Sequence, residues 1–372
     1  MRFYTGQHQY YCGIDLHTKN MYICILDQAG NILLHKNFPA NPQALLQVIE
    51  PYLPDIAITV ECMFTWYWIA DLCRSRNIPF VLGHALYMRA IHGAKTKNDK
   101  IDAHKMAVLL RGGLIPMAYV YPPQMRSTRD LLRRRMHFMY KRSELLAHIQ
   151  NTRNQYNLPD FNRCIARKRN RAGVLDHFED KSVRKSIELN LSLLRQYEFL
   201  LNDAELFITG HAKEHDPNNL YLLQTIPGVG KILALVLLYE IHDINRFERV
   251  QNFTSYARLV KPKKESAGKV RGTSNRKMGN AYLKWAFSEA TLLLIRQKQE
   301  IKDLHLKLKN KHGKPRALAI IAHKLGRTVY YMLKNQQAFD LPYFLQLKDR
   351  TAEAIRLTQV TAGQVHPRSF QI

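Results

Sequence analysis

Four carboxylates sit where a folded chain rarely places charge without a use for it. Asp15 falls in Tyr-Tyr-Cys-Gly-Ile-Asp-Leu-His, residues 10–17, an otherwise apolar strand-like stretch. Strand alternation puts it on one face with Tyr11 and Gly13, and a carboxylate there is costly unless something compensates it. Glu61 poses the same question at the end of the apolar run Ile56–Cys62. Asp99 and Asp102 stand three apart in Lys-Thr-Lys-Asn-Asp-Lys-Ile-Asp-Ala-His, residues 95–104, so they share one face of a helix start. Taken singly, each has an ordinary explanation. The last two could complement a helix dipole, Glu61 could cap a strand or pair with a lysine, and Asp15 could be a satisfied buried acid. Gathered together, four carboxylates repel and become favourable around hard divalent cations. Magnesium takes carboxylate oxygens, water and phosphate. Two ions roughly 4 Å apart can stabilise the attacking and leaving oxygens at phosphorus.

The elements that must position these acids read as follows. Tyr10–Leu16, Met21–Asp27 and Asn31–Phe38 suggest a three-stranded antiparallel meander. Pro42–Tyr52 reads as a helix. Ile56–Cys62 is a fourth strand buried on both faces, Phe64–Arg76 a helix and Ile78–Leu82 a fifth strand. The order β-β-β-α-β-α-β is that of an α/β ribonuclease H-like fold, in which the first and fourth strands are neighbours, so Asp15 and Glu61 would converge. Asn98 is placed as the N-cap of a helix running to Leu110 and ended by Gly112-Gly113. Beyond a proline-marked linker, Gln124–Tyr156 and Lys181–Phe207 carry apolar residues at helical spacing, giving a helical hairpin or a dimerising coiled coil. The expected domains are 1–115, 124–210 and a mostly helical 219–345, with a polar tail over 349–372.

Charge divides the chain in the same way. The formal net charge is +26, which favours a polyanionic partner. Residues 1–86 hold five Lys/Arg against six Asp/Glu, a net of −1. Residues 124–177 hold thirteen against four (+9), residues 256–277 eight against one (+7) and residues 298–334 ten against two (+8). A near-neutral catalytic core is thus attached to basic parts suited to nucleic acid. The longest apolar run, Ile232–Tyr239, is far short of the roughly 20 residues of a membrane span. Five cysteines with no CxxC pair argue against a zinc site or a disulfide framework and for a reducing cytoplasm.

The basic segments have readable chemistry. Thr-Ile-Pro-Gly-Val-Gly-Lys, residues 225–231, resembles a helix-hairpin-helix turn. There Gly228 and Gly230 would admit a phosphate to backbone N–H groups and Lys231 would add charge. Residues 261–277 read as a mobile basic loop. In it Lys261, Lys263, Lys264, Lys269 and Arg271 surround Ser266, and Arg276 and Lys277 begin the next cluster. Arg167, Lys168 and Arg169 belong to a basic stretch suited to gripping a nucleic-acid backbone. Tyr10, Tyr11, His17 and the tryptophans Trp66 and Trp68 read as core or strand-edge residues.

The acids Asp15, Glu61, Asp99 and Asp102 resemble the DEDD motif of the insertion-sequence transposases of family one hundred and ten and their Piv-type invertase relatives. Gly-Ile-Asp-Leu-His-Thr-Lys (13–19) and Lys-Asn-Asp-Lys-Ile-Asp-Ala (97–103) are similar to that family's RuvC-like nuclease domain. Leu223–Ile232, Phe253–Leu259, Lys264–Lys269 and Ser274–Lys284 are similar to its second transposase domain. The resemblance implies a RuvC-like domain, a DNA recombinase using Mg2+ (two ions per site, with Mn2+ able to substitute) and strand cleavage by a serine of the second domain. Motif alignment makes that serine Ser266, although this chain reads Ser-Ala-Gly where the family commonly reads Ser-Gly. It further implies donor and target DNA as substrates, guidance by an element-encoded bridge RNA, and a homodimer or dimer of dimers with shared sites in a bacterial or archaeal cytoplasm. Ser274 is better suited to capping the following helix. Two other functions compete: a structure-selective nuclease of the Holliday-junction resolvase type, with water as nucleophile, and a non-catalytic nucleic-acid-binding protein.

Overall fold

A computed structural model describes residues 2–91, 98–161, 163–211, 216–262, 264–272 and 278–346. The expected tail over 349–372 lies outside them. The backbone divides into two compact units, Met1–Arg126 and Ser127–Ile372.

The first unit is built on a five-stranded mixed sheet. β1 (Tyr10–Leu16), β2 (Asn20–Asp27) and β3 (Ile32–Pro39) are antiparallel, while β4 (Ile56–Glu61) and β5 (Phe80–Gly83) run parallel to β1, giving the order β3-β2-β1-β4-β5. This order agrees with the ribonuclease H-like expectation. The period-2 pattern sorts the strands by face. Cys12, Ile14, Met21, Ile23, Ile25, Ile56, Ile58 and Val60 form one core with Leu45 and Ile49 of α1 (Pro42–Ile49) and Ile69, Ala70 and Cys73 of α2 (Tyr67–Ser75). Tyr11, Cys24, Leu26, Ala57 and Val81 face the other way, into clusters shared with Ala103, Ala107, Leu109 and Leu110 of α4 (Asp99–Arg111). A short helix, α3 (Ala85–Ile91), follows β5.

Local signals set several boundaries. Asn41 accepts a hydrogen bond from the Ala44 amide at 2.8 Å, with Pro42 at the first helical position of α1. Two expectations shift. The α-helical part of 42–52 stops at Ile49 and continues as a 3-10 turn, Glu50–Tyr52. The second helix begins at Tyr67 rather than Phe64, because the chain bends after β4 and leaves Phe64 76% exposed.

α5 (Pro123–Gln155), which belongs to the second unit from Ser127 on, and α6 (Lys181–His211) lie antiparallel. Arg135 pairs with Glu205 at 2.6 Å, Arg142 with Glu198 at 2.9 Å, and His148 with Asn190 at 2.9 Å, so residue numbers fall on one helix as they rise on the other. Ile149, Ile165, Val174, Phe178, Ile187, Leu191 and Leu194 fill the closed end of this hairpin. Of the two readings of the long helices, the contacts within the chain are those of a hairpin. The remainder is mostly helical: α7 (Pro217–Gln224), α8 (Lys231–Ile241), α9 (Val250–Tyr256), a small β-hairpin of β6 (Lys264–Ser266) and β7 (Lys269–Gly272), then α10 (Ala281–Gln297), α11 (Gln299–His312), α12 (Lys314–Asn335) and α13 (Leu341–Gln346). Every residue of α8 from Leu233 to Ile241 is buried, as befits a central helix. No described helix is long and apolar enough to cross a membrane.

Candidate active site

Three features place the acids. β1 pairs with β4 in parallel, Ile14 opposite Val60, so Asp15 and Glu61 follow one residue further on adjacent strands and the same face. That face carries α4. Gly13, two residues before Asp15, has no side chain, and a Cβ there would lie 2.4 Å from both the Ala103 carbonyl oxygen and the Ala107 nitrogen. The glycine therefore lets α4 press against the strand. Finally, Asn98 caps α4 by accepting from the Lys100 amide at 2.9 Å, as expected, and leaves Asp99 and Asp102 in the first turn. Both ends of α4 are tied across the sheet: His35 of β3 bonds the Lys100 carbonyl at 2.8 Å, and Arg111 bonds the Gln28 carbonyl at 3.0 Å.

Asp15 and Asp99 thus meet, with a residue between them that sequence reasoning assigned to the core or a strand edge. His17 Nε2 lies 3.5 Å from Asp15 Oδ2 and 3.5 Å from Asp99 Oδ1. One donor atom from each of the three falls within 4.8 Å of the others. Asp15 is only 16% exposed, whereas His17 and Asp99 open to solvent. Asp102 sits one turn along the same face, 3.7 Å from Lys105 Nζ. Glu61 is half-buried at the end of β4. The donors suit a hard divalent cation: carboxylates from a rigid strand and a capped helix end, reachable from solvent. The signal for His17 was its place two residues beyond Asp15, which alternation turns to the same face.

The second unit holds the remaining candidates. Ser266 ends β6 and is exposed. The expected mobile loop is here an antiparallel hairpin pairing Ser266 with Lys269 across Ala267 and Gly268, which have φ of +51° and +72°. Lys261 and Lys269 are exposed, Lys264 and Arg271 lie on the hairpin strands, and Lys263, Ser274, Arg276 and Lys277 fall outside the described residues. The hairpin's flanks are anchored. Asn280 N–H donates to the Tyr256 carbonyl at 2.6 Å, Arg258 Nε donates to the Met278 and Gly279 carbonyls at 2.9 Å each, and the Asn280 side chain caps α10. Asn280 Nδ2 also donates to Glu240 at 2.7 Å, and the buried Glu240 carboxylate accepts from Arg129 at 3.0 Å and Arg133 at 2.6 Å. Burial pushes the Glu240 carboxyl up, but the Arg133 bond, the two guanidinium charges and Asn280 outweigh it and hold it below the ordinary value. Sequence reasoning missed this buried acid.

In the helix-hairpin-helix turn, Gly228 (φ +87°) packs its Cα side against α10, where a Cβ would lie 2.7 Å from Leu293 Cβ. Gly230 and Lys231 do open to solvent at the start of α8. Arg167, Lys168 and Arg169 are exposed on a 3-10 turn near the closed end of the α5–α6 hairpin, while Arg171 turns inward onto Glu198 at 2.5 Å.

Residues 12–157 match a family model described as a transposase of the DEDD IS110 type, and residues 220–306 match the transposase IS116/IS110/IS902 family. A curated relative, the transposase for insertion sequence element IS1111A of Coxiella burnetii (strain RSA 493 / Nine Mile phase I), is 31% identical over 124 residues, 32% of this chain and 33% of that protein. The match thus spans about a third of the length of the curated relative. The first family match contains Asp15, His17, Glu61, Asp99 and Asp102, and the second contains Glu240, Ser266 and Asn280, so the chain is assigned by both of its halves to the IS110 family of transposases.

Proposed function

We propose that this protein is an insertion-sequence DNA recombinase that cleaves and rejoins strands, with a RuvC-like first domain whose acids hold Mg2+ and a second domain that supplies a serine nucleophile. The observation that carries the reading is the meeting of Asp15 and Asp99, brought from separate elements to one end of a sheet with the order β3-β2-β1-β4-β5. Asp15, Glu61, Asp99 and Asp102 would hold one or two ions, which supply charge neutralisation at a scissile phosphate. The strand and the pinned helix keep the carboxylates in place, so little reorganisation is left for the reaction.

Ser266 is the nucleophile. Its hydroxyl loses a proton, its oxygen bonds phosphorus, and one strand oxygen departs as a hydroxyl. The phosphoserine link conserves the phosphodiester energy, and attack by another strand hydroxyl restores the serine without ATP. Lys261, Lys264, Lys269 and Arg271 offset phosphate charge around it, and Gly230, Lys231, Arg167, Lys168 and Arg169 bind backbone. Because acids and serine lie in different units, composite sites shared between protomers of a dimer or dimer of dimers fit the reading. Leu189, Leu193, Phe199 and Leu206, exposed along α6, offer apolar surface for such an assembly. A structured bridge RNA would read donor and target DNA by base pairing, and its absence from protein purified from the native host would remove that part.

The deciding experiment traps cleaved DNA on the protein, digests with protease and identifies the attached peptide. A peptide containing Ser266 is expected. One containing Ser274 instead moves the nucleophile, and cleavage with no adduct makes the protein a hydrolytic nuclease.

A further inference from the structure

His17 is not one of the four acids, yet its ring nitrogen lies 3.5 Å from both Asp15 and Asp99. We infer that His17 is a direct nitrogen ligand of the divalent ion, which gives this site a preference for Mn2+ and other imidazole-tolerant ions over Mg2+ beyond that of an all-carboxylate site. The inference rests on the reading that these acids bind a divalent ion.

Three observations support it. Nε2 is 3.5 Å from one oxygen of each carboxylate, too long for a hydrogen bond to either but close to the roughly 3 Å that separates neighbouring ligands around a six-coordinate ion. The backbone is fixed: His17 N–H donates to the Asn20 carbonyl at 2.9 Å, in the tight turn that joins the paired ends Leu16 and Met21 of β1 and β2. The side chain therefore hangs from a rigid strand exit on the same face as Asp15. The ring is also half exposed, at 53%, so its nitrogen is open to an entering ion instead of being enclosed in the core. Two other histidines lie near α4 but are used differently. His35 bonds the Lys100 carbonyl, and His104 packs 5.8 Å from His35, ring to ring.

Imidazole is a better ligand for transition ions than for magnesium, whose chemistry favours oxygen. The competing account is that His17 is an imidazolium that merely pairs with the acids and is displaced when an ion enters. The two accounts predict opposite effects of removing it. Loss of a ligand weakens Mn2+ binding, whereas loss of a competing cation leaves it unchanged or strengthens it.

The test uses full-length protein and needs no catalysis. Mn2+ affinity is measured from loss of the free-ion electron paramagnetic resonance signal, and electron spin echo modulation of the bound ion reports directly coordinated nitrogen. In the wild-type protein, 14N coupling is expected. In His17→Gln it is expected to vanish, with Mn2+ affinity falling about ten-fold and Mg2+ affinity, measured by competition, falling much less. His35→Gln and His104→Gln should keep the coupling. Wild-type protein that binds Mn2+ without 14N coupling, coupling that survives in His17→Gln, or unchanged or tighter Mn2+ binding by that variant would each overturn the assignment of His17 while leaving the acid site standing. Wild-type protein that binds no Mn2+ would overturn the metal reading itself.

Discussion

Gly13 of β1 and Ala103 of α4 approach so closely that a single added methyl on the glycine would lie 2.4 Å from the alanine's carbonyl oxygen. The contact is backbone against backbone, so no side chain can rotate to relieve it. Gly13→Ala must push α4 away from the sheet, and α4 carries Asp99 and Asp102 while β1 carries Asp15. The expected result is a loss of about 1–3 kcal/mol of stability, typical of overpacking. It should be accompanied by a much larger loss of divalent-ion affinity than that stability change explains. Denaturant unfolding with and without Mn2+ measures both. Wild-type ion affinity in a destabilised Gly13→Ala protein would show that the acids do not depend on this approach.

Charge removal at the acids should separate chemistry from binding. Asp15→Asn and Asp102→Asn are each expected to lower strand cleavage by about a hundred- to a thousand-fold, by analogy with the roughly 10²–10³ lost with a single stabilising group. Nucleic-acid affinity should stay within a few-fold, because the positive charge lies elsewhere, in segments such as 124–177 with its net of +9. A cleavage assay in Mg2+ beside a filter-binding titration decides. Near wild-type cleavage by either variant would remove that residue from the site.

What the sequence disclosed was local, and what it concealed depended on distant neighbours. The alternation of β1, the Asn98 cap and the apolar stripes of α5 and α6 are each written within a few turns or rungs of chain, and they reappear in the fold. The acids were legible because charge inside an apolar strand is conspicuous. His17 was not, since its partner Asp99 arrives only when α4 docks against Gly13. Glu240 sits in an unbroken apolar helix, and nothing local announces that Arg129, Arg133 and Asn280 will meet it. The packing of Gly228 against Leu293 was equally hidden, because a positive-φ glycine reads alike whatever its open side faces. The hairpin 264–272 was hidden by its lysines, which strand statistics disfavour.

The buried charges in the second unit predict an acid limit to its stability. Glu198 is held below the ordinary carboxylate value first by its hydrogen bond to Arg171, and Glu240 is also held low, despite burial, by Arg133 and Arg129. A carboxyl whose folded pKa is depressed adds stability above the unfolded-state value, near 4.3 for glutamate. That stability is lost as pH falls through the depressed folded values. Unfolding free energy should therefore be flat from neutral pH to about 5 and fall below about 4.3. Glu240→Ala removes the buried carboxylate that Arg129 and Arg133 share and should cost about 3–5 kcal/mol at neutral pH. Glu240→Gln should keep part of that stability and flatten the acid limb. Urea unfolding from pH 3 to 7 checks this, and an unchanged acid limb in Glu240→Gln would mean that its ionisation is not linked to folding.

The turn beside Ser266 supplies a probe of the proposed nucleophile that leaves the serine itself intact. Ala267 and Gly268 both have positive φ, the conformation of a two-residue hairpin turn in which asparagine-glycine and glycine-glycine are favoured. An alanine there carries a left-handed penalty of about 1 kcal/mol, which glycine removes and a β-branched side chain raises. Open space surrounds Gly268, so the effect at this turn is conformational rather than steric crowding. Ala267→Gly should therefore retain or increase the yield of covalent protein–DNA adduct. Ala267→Val, which disfavours the turn and so the pairing of Ser266 with Lys269, should lower it about ten-fold or more with DNA affinity unchanged. Thermal stability of the whole protein should barely move in either variant, since the hairpin is exposed at Ser266 and Lys269 and buries little apolar surface there. Equal adduct yields from Ala267→Gly and Ala267→Val would show that the pairing of Ser266 across this turn plays no part in presenting it.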